Sequence, residues 1–147
     1  DALKVRVAMA EQSKADLFVA IHVSAAGNGK EFHPGFSGFE VYVSKDGNSN
    51  IEQSKQLGSA LLLQLNKIYT TNTTLSQRSE RGIYVLDKTP CPAVLIECGY
   101  MTNEKDLAFI SNSNNQEAVA KKILEGIVSS RNLPVNAESA PVTEPLK

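Results

Sequence analysis

The feature that most constrains the fold is a continuous apolar run at residues 92–100, Pro-Ala-Val-Leu-Ile-Glu-Cys-Gly-Tyr. An apolar run of this length, bounded by proline and glycine, is typical of a strand buried on both faces within a parallel sheet. Glu97 stands near the carboxyl end of this strand, the edge at which α/β sheets bind ligands. A single carboxylate after four apolar residues either pairs with a fixed cation or exchanges protons, and the residues themselves leave both alternatives open.

Helical and strand patterns alternate along the rest of the chain. A second buried strand is predicted over residues 17–23, with His22 close to its carboxyl end. Two stretches without apolar periodicity, 24–38 and 70–80, are predicted to be loops. The remaining predicted elements are a helix over 2–14, a strand over 39–43, a helix from a Ser49–Glu52 capping box to about Tyr69, a short strand over 83–86, a helix from Asn103 through Ile110 and a helix from Gln116. The crossovers are long enough for parallel pairing, so the pattern predicts an α/β layered fold.

Composition is that of an ordinary globular domain. The 147 residues have a net charge of −1 and fifteen scattered Lys and Arg, which argues against a nucleic-acid-binding surface. No apolar stretch approaches the roughly 20 residues of a membrane span.

Cys91 and Cys98 bracket the buried strand too far apart for a disulfide and are expected to be free buried thiols. Residues 131–147 hold three of the six prolines, so a domain over 1–130 and a linker or disordered tail over 131–147 are predicted.

The candidate chemistry lies at the ends of the two buried strands. His22 and Glu97 are distant in sequence, yet each is predicted at the carboxyl end of a core strand, so one crevice can hold both. Imidazole is a common zinc ligand, and a carboxylate beside a metal site can take a proton from water and deliver it to a leaving amine. The alternative for His22 is a core histidine bonded to a backbone carbonyl. His33, near Glu31 in the first loop, is interpreted as a solvated loop histidine.

Three blocks of the sequence together carry a family resemblance. They are Ala-Asp-Leu-Phe-Val-Ala-Ile-His-Val-Ser-Ala at 15–25, Arg-Gly-Ile-Tyr-Val-Leu at 81–86 and Pro-Ala-Val-Leu-Ile-Glu-Cys-Gly-Tyr-Met-Thr-Asn at 92–103. In this order they closely resemble the zinc-dependent N-acetylmuramoyl-L-alanine amidases of the type 3 class. The resemblance covers residues 1 to about 128. Its most specific part is the proline-leading, glutamate-ending strand followed by Gly-aromatic-x-x-Asn.

The resemblance implies both a fold and an activity. The fold is a twisted, mostly parallel sheet flanked by helices, with one zinc ion at the strand ends. Enzymes of this family cut the amide between the lactyl group of N-acetylmuramic acid and the L-alanine of the stem peptide in bacterial peptidoglycan. The implied working place is the bacterial cell envelope, periplasmic or extracellular. The oligomeric state, the stem-peptide preference and any regulatory partner are left open.

The resemblance also implies roles for individual residues. His22 matches the last of the family's zinc-binding histidines, and Glu97 matches its catalytic glutamate. Arg81 matches an arginine that is frequent at this place in the family. It is expected to bind substrate by holding a carboxylate of the muropeptide, or to hold the carboxylate of Glu97 itself.

The chain also departs from the family pattern. A first strand with a His-x-Gly ligand block and a following glutamate ligand are expected upstream of Asp1, so the chain is interpreted as the carboxyl-terminal two-thirds of such a domain, lacking its first strand. Ser24 stands where the family usually has Asn. Since His22 is the one inherited zinc ligand, the activity of these 147 residues alone is left open. The alternatives are a non-catalytic peptidoglycan-binding or regulatory module, and an α/β domain in which His22 and Glu97 are structural.

Overall fold

Five helices and five strands are formed by residues 1–134 and 138–145, which a computed structural model describes. The helices are α1 (Ala2–Gln12), α2 (Ile51–Leu65), α3 (Tyr84–Lys88), α4 (Glu104–Ile110) and α5 (Ser113–Arg131). The strands are β1 (Phe18–Ser24), β2 (Glu40–Val43), β3 (Leu75–Gln77), β4 (Ala93–Tyr100) and β5 (Val142–Thr143).

The strands form a single sheet in the order β1-β4-β2-β3-β5. β1 pairs with β4 in parallel, and β3 pairs in parallel with both β2 and β5. The pairing of β2 with β4 is antiparallel. β2 follows β1 through a loop without a helix, and it is the strand that runs against its neighbour. The predicted α/β class and the mostly parallel sheet are both confirmed.

The run that dominates the sequence, β4, is buried on both faces, as predicted. Val94, Ile96 and Cys98 belong to one apolar core, which α2 and α5 cover. Ala93 and Leu95 belong to a second, smaller core, which α1 and α3 cover. Because successive residues of a strand point to opposite faces, β4 supplies side chains to both cores. Each large side chain buried in this way stabilises the fold by roughly 1.5–3 kcal/mol.

Helices α2 and α5 approach each other closely at one glycine. A Cβ atom added to Gly126 would lie only 3.0 Å from the Cα atom of Leu61, which is itself fully buried. A side chain at this position would force the two helix backbones apart. Gly126 therefore lets α5 lie directly on α2 and close the larger core.

The helix starts confirm one predicted cap and correct another. The side chain of Asn103 accepts hydrogen bonds from the two amides that begin α4, as predicted. The side chain of Asn112 caps α5, which begins earlier than predicted. The predicted Ser49–Glu52 capping box is wrong, since α2 begins after Asn50, whose side chain makes no capping bond. The stretch preceding α2 is instead a tight turn.

The predicted strand over residues 83–86 is wrong, because this segment enters the short helix α3. Val85 and Leu86 are buried in the smaller core, and the Thr89 hydroxyl donates a hydrogen bond to the carbonyl of Val85. A four-residue apolar run fits a short strand and a buried helical turn equally well. Packing against α1 and β4 selects the helical conformation.

The polar segment over residues 70–80 contains a strand that was not predicted. Leu75, Ser76 and Gln77 form β3, and all three are buried. The side chain of Gln77 donates a hydrogen bond of 2.8 Å to the backbone carbonyl of Ser44. The side chain of Gln77 can lie inside the sheet because it has this partner, and two polar residues out of three leave the strand without a hydrophobic alternation that would reveal it.

The prediction of a linker or disordered tail over residues 131–147 is corrected at Val142–Thr143, which form a strand of the sheet. β5 extends the sheet beside β3, and both Ala140 and Val142 pack against the larger core. The amide of Ala140 donates a hydrogen bond of 2.7 Å to the hydroxyl of Ser59 on α2. Residues 135–137 and 146–147 lie outside the described residues.

One edge of the sheet carries exposed apolar side chains. In the described part of the chain, β1 pairs with β4 alone, and Ile21 and Val23 are 59% and 38% exposed.

Both cysteines, Cys91 and Cys98, are free and buried, as predicted. No helix within the described residues is both long enough and apolar enough to span a bilayer.

The described carboxyl-terminal residues 138–145, which include β5, are expected to contribute measurably to the stability of the fold. We expect deletion of residues 138–147, or the substitution Val142→Asp, to lower Tm by a few degrees, since each kcal/mol shifts Tm by about 2–4 °C in a domain of this size. Differential scanning calorimetry measures the change, and Glu138→Gln at an exposed position is the matched control. An unchanged Tm in the deletion variant would restore the interpretation of a disordered tail.

Candidate functional site

Three ionisable side chains form a row across neighbouring strands. His22 lies opposite Glu97 in the parallel β1–β4 pair, and Glu40 lies opposite Glu97 in the antiparallel β2–β4 pair. Residues directly opposite each other in a sheet point to the same face. The Nδ1 atom of His22 is 4.0 Å from the Oε1 atom of Glu97. The predicted proximity of His22 and Glu97 is confirmed, whereas Glu40 was not predicted.

The row lies just beyond the smaller apolar core. Leu95 and Tyr42, which belong to that core, each stand two residues from a member of the row and share its face. Glu40 is buried, 14% of the Glu97 side chain is exposed, and 43% of the His22 side chain is exposed. The row is therefore closed at β2 and open to solvent at β1.

Glu97 is an acid held in an environment that disfavours its charge. Burial raises the pKa of the Glu97 carboxyl, the negative charge of Glu40 raises it further, and the positive charge of Arg78 lowers it, which leaves this pKa at about 7. The Oε2 atom of Glu97 is buried and accepts no hydrogen bond from the described residues. A carboxyl group in this state gains and loses a proton near neutral pH.

Glu40 is a carboxylate that its neighbours hold in place. Its Oε2 atom accepts hydrogen bonds from the hydroxyls of Tyr100 and Tyr42 at 2.8 and 3.2 Å. Its Oε1 atom accepts a bond of 2.9 Å from the side-chain amide of Asn72. Burial, together with the charge of Glu40, raises the pKa of both phenols, so they stay protonated as donors. Three donors make Glu40 a fixed negative charge beside Glu97.

The two glutamates therefore differ in what they can do chemically. Glu97 combines a pKa of about 7 with an oxygen that has no hydrogen-bond partner in the part of the chain that the structure describes, which suits a group that takes up and releases protons. Both oxygens of Glu40 are already bonded, so it is suited to shaping the electrostatics of the row. The site has the elements of general acid–base chemistry, with Glu97 as the proton carrier.

The arginine that acts on Glu97 is Arg78. Its guanidinium carbon lies 5.5 Å from the centre of the Tyr42 ring, and its charge lowers the pKa of Glu97. Arg81, predicted from the family resemblance, is exposed on the following turn and no described contact joins it to the row. Its role in binding a carboxylate stays a prediction. Sequence inspection missed Arg78 because β3, which positions it, was not predicted.

Asp106 shapes the end of β4 that leads into the site. This buried carboxylate accepts hydrogen bonds from the amides of Gly38 and Tyr100 and from the hydroxyl of Tyr69, at 2.8, 2.9 and 2.7 Å. Gly99 has a φ of +82°, and a Cβ atom there would lie 2.9 Å from the Cβ of Asp106. The turn at Gly99 allows Tyr100 to bond both Asp106 and Glu40. The sequence feature that could have revealed this arrangement is the Gly-Tyr pair at the end of the strand, together with an acidic residue in the next helix.

The second histidine of the chain belongs to the loop between β1 and β2. The amide of His33 donates a hydrogen bond of 2.8 Å to the carbonyl of Thr102, and its ring makes an edge contact with Phe36 at 6.4 Å. These contacts fasten the loop to the segment that follows β4. They agree with the interpretation of His33 as a loop histidine.

The residues of the row fit a metal site only in part. Within residues 1–134 and 138–145, no group of three His, Cys, Asp or Glu side chains is arranged to hold a metal ion. The His22 imidazole is accessible, and the buried Oε2 of Glu97 lacks a partner beside it. His22 is thus suited to serve as one ligand, while the described residues do not supply the set of three that a catalytic zinc requires.

Comparison with known proteins relates this site to a family. The family model described as N-acetylmuramoyl-L-alanine amidase matches residues 1–129. The chain is 27% identical over 126 residues to the germination-specific N-acetylmuramoyl-L-alanine amidase of Bacillus subtilis, covering 86% of this chain and 49% of that protein. It is 30% identical over 130 residues to the endolysin of Bacillus phage SPP1, covering 87% of this chain and 45% of the endolysin. The chain spans about half the length of the curated relatives it matches.

Solved structures give the same result. The CwlD amidase from Clostridioides difficile, solved in complex with the GerS lipoprotein, is similar with a TM-score of 0.76 and 29% identity, covering 90% of this chain and 62% of CwlD. The catalytic domain of CwlV, an N-acetylmuramoyl-L-alanine amidase from Bacillus (Paenibacillus) polymyxa var. colistinus, is similar with a TM-score of 0.71 and 28% identity, covering 90% of this chain and 66% of that domain.

The raised pKa of Glu97 predicts a pH-dependent stability. Between about pH 4.5 and 7 the folded protein keeps a proton that the unfolded chain has released, so the free energy of unfolding falls as pH rises through this window. The loss is on the order of 3 kcal/mol at most. We expect Glu97→Gln to remove it and to be more stable than the parent chain at pH 8, with little difference at pH 4.

Urea unfolding at pH 4, 6 and 8, with a chelator present to exclude metal binding, measures this effect. The exposed Glu11 on α1 provides the matched control Glu11→Gln, which should follow the parent chain at every pH. A parent chain and a Glu97→Gln variant with parallel pH profiles would show that the carboxyl of Glu97 titrates normally.

Proposed function

Because the chain belongs to the N-acetylmuramoyl-L-alanine amidase family, we propose that it hydrolyses the amide between N-acetylmuramic acid and the L-alanine of the stem peptide in bacterial peptidoglycan. The observation that carries this proposal is the state of Glu97, a largely buried carboxyl with a pKa of about 7, which lies 4.0 Å from an exposed imidazole and has one oxygen without a hydrogen-bond partner among the described residues. Amide hydrolysis needs such a group, because the leaving amine must receive a proton.

Glu97 is assigned the role of the proton carrier. It takes a proton from the attacking water and delivers the proton to the departing amine of alanine. Its pKa near 7 keeps a fraction of the carboxyl ionised to accept the proton, and leaves the protonated carboxyl acidic enough to release it. Glu40 supports this cycle from the side, since its fixed charge opposes the loss of the proton from Glu97.

His22 is assigned the role of one zinc ligand. Its side chain is 43% exposed on β1 and lies next to the carboxylate that the mechanism uses. The chemistry that zinc supplies when bound is that of a Lewis acid, which lowers the pKa of water to ~7 and polarises an amide carbonyl. The role implied for Arg81, binding a carboxylate of the muropeptide or of Glu97, is retained as part of the proposal. The place of action is the cell envelope, periplasmic or extracellular, because the proposed substrate lies there.

A second candidate is a non-catalytic module that binds peptidoglycan or regulates another hydrolase. The observation in its favour is that the described residues hold no group of three metal-ligating side chains. The two candidates differ in their dependence on Glu97. A binding module keeps its affinity for peptidoglycan when the carboxyl of Glu97 is removed. Neither the parent module nor the variant releases new amino groups from peptidoglycan.

The test uses Glu97→Gln, which preserves the shape of the side chain and removes its acid–base function. With zinc supplied, we expect the complete protein to release L-alanine amino groups from a synthetic muropeptide, and the variant to be slower by on the order of 10²-fold or more. Amino-group labelling followed by chromatography measures the rate, and bound zinc is measured in parallel by atomic absorption.

Equal zinc content in both proteins assigns the loss of rate to the proton carrier and not to the metal. The exposed Glu11→Gln variant is the matched control and should retain full activity. Normal hydrolysis by Glu97→Gln would show that another residue transfers the proton. Absence of turnover in the parent protein, together with retained binding to peptidoglycan, would favour the non-catalytic module.

A further inference from the structure

Arg78 occupies the rim of the Glu97 site on the side opposite to His22. It follows the last residue of β3, the strand next to β2, and its guanidinium lies 5.5 Å from the centre of the Tyr42 ring. Tyr42 shares the face of the sheet that carries Glu40 and Glu97. A guanidinium that stacks on an aromatic ring stays planar and retains its outward N–H donors.

The guanidinium of Arg78 lies close to the site, but no described carboxylate pairs with it there. Among the described residues Arg78 forms no ion pair, and Arg78 is one of the exposed residues of the chain. Because no carboxylate of the described residues forms an ion pair with it, Arg78 has N–H donors available to a group that enters from solvent.

The backbone around Arg78 is held on both sides. The carbonyl of Arg78 accepts a hydrogen bond of 2.9 Å from the amide of Gly82, which closes the turn after β3. The amide of Ser79 donates a bond of 2.9 Å to the Oε1 atom of Glu144, and the Ser79 hydroxyl bonds the same carboxylate. The carboxyl-terminal segment thus fixes the turn that presents Arg78, which reduces the entropic cost of binding a ligand there.

These features restrict the kind of ligand that Arg78 can hold. A guanidinium binds planar anions through two parallel N–H bonds, and carboxylates match this geometry. The two carboxyl groups of the row, Glu40 and Glu97, would repel a doubly charged anion such as a phosphate more strongly than a singly charged one. A carboxylate is therefore the anion that fits this rim.

We propose that Arg78 binds a free carboxylate of the stem peptide and makes the enzyme select stem peptides that carry this acid over those in which it is amidated. The inference rests on the proposed function, since the peptide is identified from the amidase family. Arg78 would then be a specificity-determining residue that acts on substrate binding and takes no part in proton transfer.

The test compares two synthetic ligands whose γ-carboxyl is capped, N-acetylmuramoyl-L-alanyl-D-glutamate γ-methylamide and the same compound with its α-carboxyl amidated, so that they differ only in one free carboxylate. Isothermal titration calorimetry on the complete protein, carrying Glu97→Gln to prevent turnover and supplied with zinc, gives Kd for each ligand. We expect Arg78→Gln to raise Kd for the acid on the order of tenfold and to change Kd for the amide by less than twofold. Arg78→Lys keeps the positive charge but lacks the two parallel N–H donors of the guanidinium, so an intermediate rise of about threefold in Kd for the acid is expected.

Two further variants make the result specific. Lys88→Gln removes an exposed positive charge on α3 and is expected to leave both Kd values unchanged. Arg81→Gln tests the neighbouring arginine, and an acid-selective loss in this variant without one in Arg78→Gln would overturn the proposal. Equal losses for the two ligands in Arg78→Gln, or no measurable binding of either ligand by the parent, would also overturn it.

Turnover of the same two compounds by the protein with Glu97 intact separates this inference from the proposed function. An acid-selective rise in KM with an unchanged kcat in Arg78→Gln supports the inference. If the parent protein hydrolyses neither compound but binds the acid through Arg78, the proposed hydrolysis fails and the binding site stands.

Discussion

Two carboxyl groups face each other across the antiparallel β2–β4 pair, and the chemistry of the site depends on how differently they are held. Glu40 accepts hydrogen bonds from two phenols and an amide, whereas one oxygen of Glu97 is buried and receives no hydrogen bond from residues 1–134 and 138–145. Burial of Glu97, and after it the negative charge of Glu40, raises the pKa of the Glu97 carboxyl to about 7. One strand pairing therefore produces a fixed charge and a proton carrier side by side.

This pairing costs stability, and the position of β4 explains how the fold tolerates it. β4 contributes to both apolar cores, so its register is set by several buried side chains on each face. A slip of one residue would place Glu97 in the larger core and turn the side chains of β4 that belong to that core to the opposite face of the sheet. The apolar residues of β4 thus fix where Glu97 lies, and the energy needed to keep it beside Glu40 comes from packing around it.

The rim of the site is assembled from segments far apart in the chain. Asp106, at the start of α4, joins the loop before β2 to the end of β4 and orients Tyr100 toward Glu40. Glu144, next to β5, holds the turn that presents Arg78. The proposed reaction follows from the family to which the chain belongs, while these contacts determine the shape of the surface beside Glu97 in this particular chain.

Local patterns in the sequence determined the α/β class, the buried strand β4 and the proximity of His22 to Glu97, because long apolar runs have one stable placement and parallel strands bring their carboxyl ends together. They did not determine Glu40, whose role depends on an antiparallel register between strands distant in sequence. Polar β3 and the docking of β5 were likewise decided by partners elsewhere in the fold, as was the helical state of the apolar run that enters α3. Short or polar segments satisfy their hydrogen bonds in several ways, and only the tertiary structure selects one of them.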